Sequence, residues 1–208
     1  MFEAMNAVKI HISLDEIEPE VWRRLLLPSS WNLEQLHLAV QAAFNWWNYH
    51  LHEFRIGGLR YGDVEGAEAI VFDDDDARVF SSREVRLRDF EVGATFGYLY
   101  DFGDSWEHTI VIEEFVSLDV APAHGSCIGG AGARPPEDVG GVPGYERFLE
   151  IMSDKADPEH ADMKKWCGGH FDPQWFDLAV ADKDVRNALS PNVKRQMHQP
   201  KPKRGRSR

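Results

Sequence analysis

The stretch Tyr98-Leu-Tyr-Asp-Phe-Gly-Asp-Ser-Trp-Glu-His-Thr-Ile-Val-Ile-Glu113 decides the fold, because in it two strand patterns flank one turn. From Trp106 onward, one face carries Trp106, His108 and two isoleucines, while the other is largely polar, which is typical of a half-buried strand. The segment Phe102-Gly-Asp-Ser105 predicts a tight two-residue turn in which Gly103 takes a positive φ, since glycine has no Cβ to clash. We therefore predict an antiparallel hairpin.

Patterns nearer the N-terminus predict a second hairpin, a helix and another strand. Val8–Leu14 alternates apolar and polar residues, and Glu20–Leu27 follows after a short connection, so the two segments predict an antiparallel pair. Apolar residues at helical spacing predict a helix over Leu33–Phe44, with Ser29-Ser30 as its capping residues. His50–Ile56 then reads as a strand that stops at two glycines.

The rest of the chain predicts loops and helices. The run Asp73–Asp76 predicts an exposed acidic loop, or else a group of oxygen ligands for a hard cation. Ala121–Gly144, rich in Gly, Pro and Ala, predicts a long loop without regular structure. Helical patterns follow at Gly144–Met152 and at Asp157–Trp166, and a last helix is predicted to start at His170–Pro173. Together these patterns predict a single α+β domain, with a mostly antiparallel sheet and helices packed against it.

Charge divides the chain into an acidic body and a basic tail. Seven basic residues and no acidic one lie in 194–208, so the net charge of −12 leaves −19 on residues 1–193. We expect 1–193 to be the domain and 194–208 a flexible, disordered basic tail. An acidic surface repels nucleic-acid phosphates, whereas the tail could bind them, fold back on the acidic body or remain solvated.

Composition and apolar runs also indicate the size of the core and the cellular compartment of the protein. A chain of 208 residues with 43% hydrophobic residues is long and apolar enough for one core. No apolar run approaches the roughly 18 residues of a membrane span, and no signal-peptide pattern opens the chain, so we expect a cytoplasmic protein without membrane contact. The two cysteines then predict free thiols or metal ligands, and not a disulfide.

A family resemblance rests on three motifs. They are the segment from Tyr100 to His108, the preceding His50-Leu-His-Glu-Phe54, and Pro135–Gly141 followed by Gly144-Tyr145. Together they resemble the plasmid pRi open-reading-frame-three-like family, also called TnpR-type passenger proteins of insertion elements, from about Val8 to about Leu189. The resemblance implies a small intracellular α+β protein associated with mobile elements, and it implies no established activity.

Three sets of residues are candidates for function. Acid–base or metal-assisted chemistry is predicted for a set of polar groups, which His50 and His52 join if their strand pairs with the hairpin: His108, Asp101, Asp104, Glu137 and Asp138. An aromatic, ligand-binding groove is predicted for a second set: Trp46, Trp47, His50, His52, Tyr98, Tyr100 and Trp106. A tetrahedral zinc site is the alternative for a third set: Cys127, Cys167 and His170, with His160 or Asp138 as the fourth ligand. Each set also has a structural interpretation, as buried thiols, as hydrogen-bonded core histidines or as turn-forming aspartates.

These sets support three hypotheses of function. The first is a non-enzymatic binding module whose aromatic groove recognises a protein or a small ligand, without a cofactor. The second is a metal-dependent hydrolase, with zinc or another divalent metal, acting on nucleic acid or on a small substrate. The third is a DNA-associated accessory protein that binds through residues 194–208. A hydrolase requires several of the polar groups to converge in a cleft, whereas a binding module does not.

Overall fold

The computed structural model describes residues 5–63, 78–191 and 195–201. Its strands are β1 (Ala7–Leu14), β2 (Val21–Pro28), β3 (His52–Ile56), β4 (Leu59–Gly62), β5 (Val79–Ser81), β6 (Thr95–Tyr100), β7 (Trp106–Val116) and β8 (Ser126–Ala131). Its helices are α1 (Leu33–Phe44), α2 (Gly141–Ser153), α3 (His160–Trp166) and α4 (Leu178–Arg186), with a 3₁₀ turn at Leu87–Asp89.

One sheet organises the described residues. Its eight strands follow the order β5-β4-β3-β6-β7-β1-β2-β8, and every neighbouring pair is antiparallel except β4 and β5. Alternate residues of β1, such as Ile10 and Ile12, are fully buried beside α1 in one hydrophobic core. The predicted α+β class, with a mostly antiparallel sheet and helices packed against it, is confirmed.

The central hairpin is confirmed, but its turn differs from the prediction. Strands β6 and β7 pair up to Tyr100 opposite Trp106, so the loop is 101–105. The positive φ values are at Asp101 and Ser105, and not at Gly103, so the predicted two-residue turn is wrong. The Oδ1 atom of Asp101 accepts the Gly103 N–H at 2.9 Å. This local bond helps an aspartate adopt the left-handed region, and it fixes Asp101 at the end of β6.

Helix α1 has the predicted bounds and a different cap. Asn32 accepts the backbone N–H of Gln35, whose side chain accepts the N–H of Asn32 in return, and this capping box replaces the predicted serine cap. The helix ends at Asn45 in the left-handed conformation, with φ 61°. The chain then turns back toward β3 through residues 45–51.

Two expectations for the C-terminal half are wrong. The predicted loop Ala121–Gly144 contains β8, which pairs with β2 from Ala131 opposite Trp22. A Cβ at Gly130 would lie 2.6 Å from the ring of Phe176, so the neighbouring ring leaves room there only for glycine. The last helix starts at Leu178 and is capped by Asp177, and not at His170–Pro173.

The segment 195–201 lies against the domain. The guanidinium of Arg195 donates to the carbonyl of Trp46 at 2.7 Å, and the side chain of Gln199 exchanges two hydrogen bonds with the backbone of Asp172. The first part of the predicted tail therefore has contacts with the domain. The rest of that tail, 202–208 together with 194, and the acidic run Asp73–Asp76 lie outside the described residues.

Among the helices that the structure describes, none combines the length and the apolar character needed to cross a membrane.

Candidate metal centre

Three loops bring one histidine and two aspartates together. His50 precedes β3, Asp101 follows β6, and Asp138 lies between β8 and α2. Their ligand atoms lie within 4.8 Å of one another, and within the described ranges they are the one such group of three His, Cys, Asp or Glu residues. The pairing of β3 with β6 sets the first two in place, since the Asp101 N–H donates to the carbonyl of Leu51 at 2.9 Å.

The imidazole of His50 points its Nε2 atom at the carboxylates. This atom lies 3.4 Å from Oδ2 of Asp101 and 3.3 Å from Oδ1 of Asp138, yet it is buried and makes no hydrogen bond. Ligands held at about 2.0–2.1 Å from a tetrahedral zinc ion lie about 3.3–3.4 Å apart. The two spacings therefore match the edges of a metal coordination shell, so these three side chains could hold a divalent cation.

A third carboxylate, that of Glu137, lies behind the group. Its Oε1 accepts the backbone N–H of Trp47 at 2.6 Å, while Oε2 is buried, has no hydrogen-bond partner and lies 3.9 Å from Nε2 of His50. Burial raises the pKa of this carboxyl above its usual value, against the opposing effects of the Trp47 N–H and Arg134. The residue is only 6% exposed, so its free oxygen is shielded from bulk solvent beside His50.

Neighbouring polar groups hold the aspartates in place. The hydroxyl of Tyr49 donates to Oδ2 of Asp138 at 2.6 Å, and Oδ2 of Asp104 accepts the Gly140 N–H at 3.2 Å. A Cβ at Gly141 would lie 2.5 Å from the Asp104 carbonyl oxygen, so glycine allows the two loops to touch. Asp104 thus positions the loop that carries Asp138, whose side chain is 62% exposed and opens the group to solvent.

The predicted aromatic groove is wrong, because most of its members belong to the core. Trp46, Tyr98, Tyr100 and Trp106 have no exposed surface, and only Trp47 among the five aromatics is partly exposed. Trp46 stacks on Trp106 with ring centroids 5.7 Å apart. These rings pack against one another and leave no open face for a ligand.

Three large apolar side chains that sequence reasoning missed are next to cluster residues in the chain and are exposed. Tyr49 and Leu51 flank His50 and are 50% and 39% exposed, and Phe102 follows Asp101 and is 42% exposed. The Tyr49 ring lies 4.1 Å from the His50 ring, measured between centroids. The sequence could have pointed to them, because each is directly next to His50 or Asp101 in the chain.

The other two histidine candidates have structural surroundings. His108 is fully buried, its Nδ1 lies 3.0 Å from the carbonyl of Trp106, and its Nε2 accepts the Trp46 indole N–H at 3.4 Å. Burial lowers its pKa to about 4. His52 stacks on His37 with ring centroids 3.4 Å apart, and burial lowers its pKa to about 4 as well. Neither joins the group around His50.

The cysteine-based zinc set does not assemble. The thiol of Cys127 lies 3.5 Å from the carbonyl of Gly129, and that of Cys167 lies 3.4 Å from the carbonyl of Lys164. Burial raises the pKa of both thiols. No three ligand atoms of these two cysteines, His160 and His170 gather within metal-binding distance in the described part of the chain. The cysteines are accordingly buried thiols.

Similar proteins share the fold described above, and their descriptions name no activity. Residues 6–180 match the family described as plasmid pRiA4b ORF-3-like protein. An uncharacterised protein of Sinorhizobium fredii, y4hQ, is 39% identical over 170 residues, which are 78% of this chain and 81% of that protein. The crystal structure of MM3350, a protein of unknown function from Methanosarcina mazei Go1, superposes with a TM-score of 0.72 at 33% identity, over 86% of this chain and 97% of that one. The chain therefore belongs to the plasmid pRiA4b ORF-3-like protein family.

Proposed function

We propose that the protein binds one divalent metal ion through His50, Asp101 and Asp138. The observation that carries the proposal is the buried Nε2 of His50, which faces two carboxylates at 3.3 and 3.4 Å without a hydrogen bond. One imidazole with two carboxylates suits a first-row ion such as Zn²⁺ or Mn²⁺, because imidazole is a poor ligand for Ca²⁺ and Mg²⁺.

Electrostatics supports a cation at this position. Three carboxylates, those of Asp101, Glu137 and Asp138, lie within 4 Å of the same imidazole nitrogen. Among the described residues, no lysine or arginine comes within salt-bridge distance of these three carboxylates, and the buried guanidiniums of Arg134 and Arg195 act on Glu137 only from farther away. Like charges this close repel one another, and a divalent cation would relieve that repulsion.

This proposal takes up the metal-dependent hypothesis and replaces the aromatic binding module. The module required an open groove, and its aromatic rings are buried. Nucleic-acid binding through residues 194–208 and an association with mobile elements stay predictions.

Metal titration of the untagged, full-length chain tests the proposal. After treatment with a chelator, calorimetric titration with Zn²⁺ and with Mn²⁺ should show one ion per chain for at least one of them. The His50→Gln variant should bind that ion more than about 100-fold more weakly. Loss of a residue that only supports a metal ligand already lowers metal affinity by about 10–100-fold, and this variant loses a ligand itself. The matched control is His124→Gln, which changes an exposed histidine outside the cluster.

Two results would contradict the proposal. One is the absence of binding by the wild-type chain for both ions. The other is equal affinity in the His50→Gln variant, which would place any metal elsewhere.

A further inference from the structure

We infer that this metal centre is hydrolytic, with Glu137 as general base for a metal-bound water, and that its substrate is a neutral carboxylic ester carrying an apolar group. The inference rests on the proposed metal binding and assigns an activity to the same site. Three features of the structure carry it: the number of ligands, the position of Glu137 and the side chains around the opening.

The number of ligands leaves room for a water. His50, Asp101 and Asp138 supply three ligand atoms, and the exposed carboxylate of Asp138 keeps the group open to solvent. Structural zinc sites close the shell with four protein ligands, whereas catalytic sites use three and hold water in the remaining position. A metal ion there would polarise the bound water and make it a nucleophile.

Glu137 lies where a general base for that water is needed. It is the next residue to a ligand in sequence, but it does not belong to the group of three whose ligand atoms lie within 4.8 Å of one another. The Trp47 N–H fixes its Oε1, and its buried Oε2 has no protein partner and lies 3.9 Å from Nε2 of His50. A carboxylate oxygen held near a metal shell, without a partner of its own, can accept a proton from a metal-bound water.

The reaction is a simple hydrolysis. With an ion held by His50, Asp101 and Asp138, the oxygen of a bound water would attack the acyl carbon of the ester, and Oε2 of Glu137 would accept the proton of that water. The bond between the acyl carbon and the alcohol oxygen then breaks, and Glu137 returns the proton to the departing alcohol. Water is the only co-reactant, and the products are a carboxylate with one released proton and the alcohol.

The surroundings of the opening favour a neutral, partly apolar substrate. Tyr49, Leu51 and Phe102 adjoin the cluster residues and expose between 39% and 50% of their surface. The Tyr49 ring lies 4.1 Å from the His50 ring and is half exposed, so it offers an apolar group a surface to pack on at the cluster. The charge of −19 on residues 1–193 opposes the approach of polyanions such as nucleic acid.

Hydrolysis of chromogenic esters tests the inference. The full-length protein, loaded with the ion that binds best, is assayed with 4-nitrophenyl acetate, 4-nitrophenyl butyrate and bis(4-nitrophenyl) phosphate. We expect hydrolysis of both carboxylic esters above the rate of the free ion, with kcat/KM higher for butyrate, and no acceleration for the phosphate diester.

Variants separate the base from the metal. Glu137→Gln keeps an acceptor for the Trp47 N–H, so metal content should persist while kcat falls at least about 100-fold, as expected for loss of a general base. Glu137→Asp, which shortens the base and retains its charge, should recover part of kcat. Leu51→Ser should raise KM severalfold for butyrate and by a smaller factor for acetate, because acetate has the shorter apolar group.

The failures are distinguishable. If the wild-type chain retains no metal, the proposed function fails and the inference fails with it. If metal is retained and no carboxylic ester is hydrolysed above the free-ion rate, only the inference is overturned. Full activity in a metal-loaded Glu137→Gln variant overturns the role of Glu137, and faster cleavage of the phosphate diester than of the esters overturns the substrate class.

Discussion

The two histidines His50 and His108 have opposite surroundings. His108 lies on β7 in the core, and both of its ring nitrogens have partners, the carbonyl of Trp106 and the indole of Trp46. His50 lies in the loop before β3, against the rings of Tyr49 and Tyr100, and its Nε2 faces carboxylates without a hydrogen bond. A polar group that the fold satisfies is typical of a structural role, whereas one that the fold leaves without a partner at a solvent-accessible cluster is typical of a ligand site.

Substitutions at the two histidines should therefore have different consequences. Changes around His50 should alter metal affinity and leave the folded state nearly as stable. Changes at His108 should alter stability and leave metal affinity unchanged.

Asp101→Asn should have the largest effect, on metal affinity. Asparagine keeps the left-handed backbone and the bond to the Gly103 N–H, so only the charge and one good ligand are lost. We expect the dissociation constant for the metal to rise more than about 100-fold. This exceeds the roughly 10–100-fold rise that follows loss of a residue that only hydrogen-bonds to a ligand. Calorimetric titration measures it, with the exposed Asp119→Asn as control. An unchanged affinity in Asp101→Asn would remove Asp101 from the site.

His108→Ala should lower the free energy of unfolding by about 3 kcal/mol, because it opens a cavity and leaves the buried Trp46 indole N–H without its acceptor. Urea unfolding in the presence of chelator measures this loss, and titration of the folded variant should give a metal affinity within about twofold of wild type. His50→Gln, as the matched histidine change, should alter the stability of the metal-free protein by less than about 1 kcal/mol. A large loss of metal affinity in His108→Ala would contradict this difference between the two histidines.

Stability should also fall as the pH falls from 6.5 to about 4, and His108 should account for part of this fall, beside the buried His52 and His37. Burial holds its folded-state pKa at about 4, below the ordinary value of 6.5, so in this window the unfolded chain takes up a proton that the folded chain does not. At about 1.4 kcal/mol per unit, the contribution is about 3 kcal/mol, fully present above pH 6.5 and lost by about pH 4. Urea unfolding across this range, with metal removed, should show a shallower slope for His108→Ala. Equal slopes would show that His108 is protonated in the folded state.

Tyr49→Phe should have the smallest effect. It removes the hydroxyl that donates to Oδ2 of Asp138 and leaves the ring in place. Loss of such a supporting bond costs about 10–100-fold in metal affinity, and for this half-exposed tyrosine we expect about tenfold. Titration measures the change, with Tyr61→Phe as control. An effect as large as that of Asp101→Asn would mean that Tyr49 acts as more than a supporting residue.

Local patterns in the chain predicted much of the fold. The first hairpin, the central hairpin and the bounds of α1 follow from alternation and helical spacing within short segments, and the structure confirms them. The pattern failed at β8 because Gly129 and Gly130 carry no side chain that could show an alternation. Their place in a strand depends on Trp22 and Phe176, which lie against them from distant parts of the chain.

The candidate site could be predicted only in part. Sequence reasoning named His50, Asp101, Glu137 and Asp138 and considered His50 beside Asp101, but the hydrolase hypothesis used His108 as its histidine. The alternation that marks β7 as a strand does show that His108 shares a face with Trp106, but not that this face is the core. Exposure decides between the two histidines, and exposure depends on which side of the sheet α1 covers.

The sequence by itself determined the α+β class, the hairpins, the first helix and the acidic character of residues 1–193, because each depends on neighbours in the chain or on composition. The tertiary structure decided the site, because His50, Asp101 and Asp138 belong to three loops that meet only when β3 pairs with β6 and the loop before α2 docks on the central hairpin. No local pattern contains the distance between such loops, since it follows from strand order and register across the whole sheet.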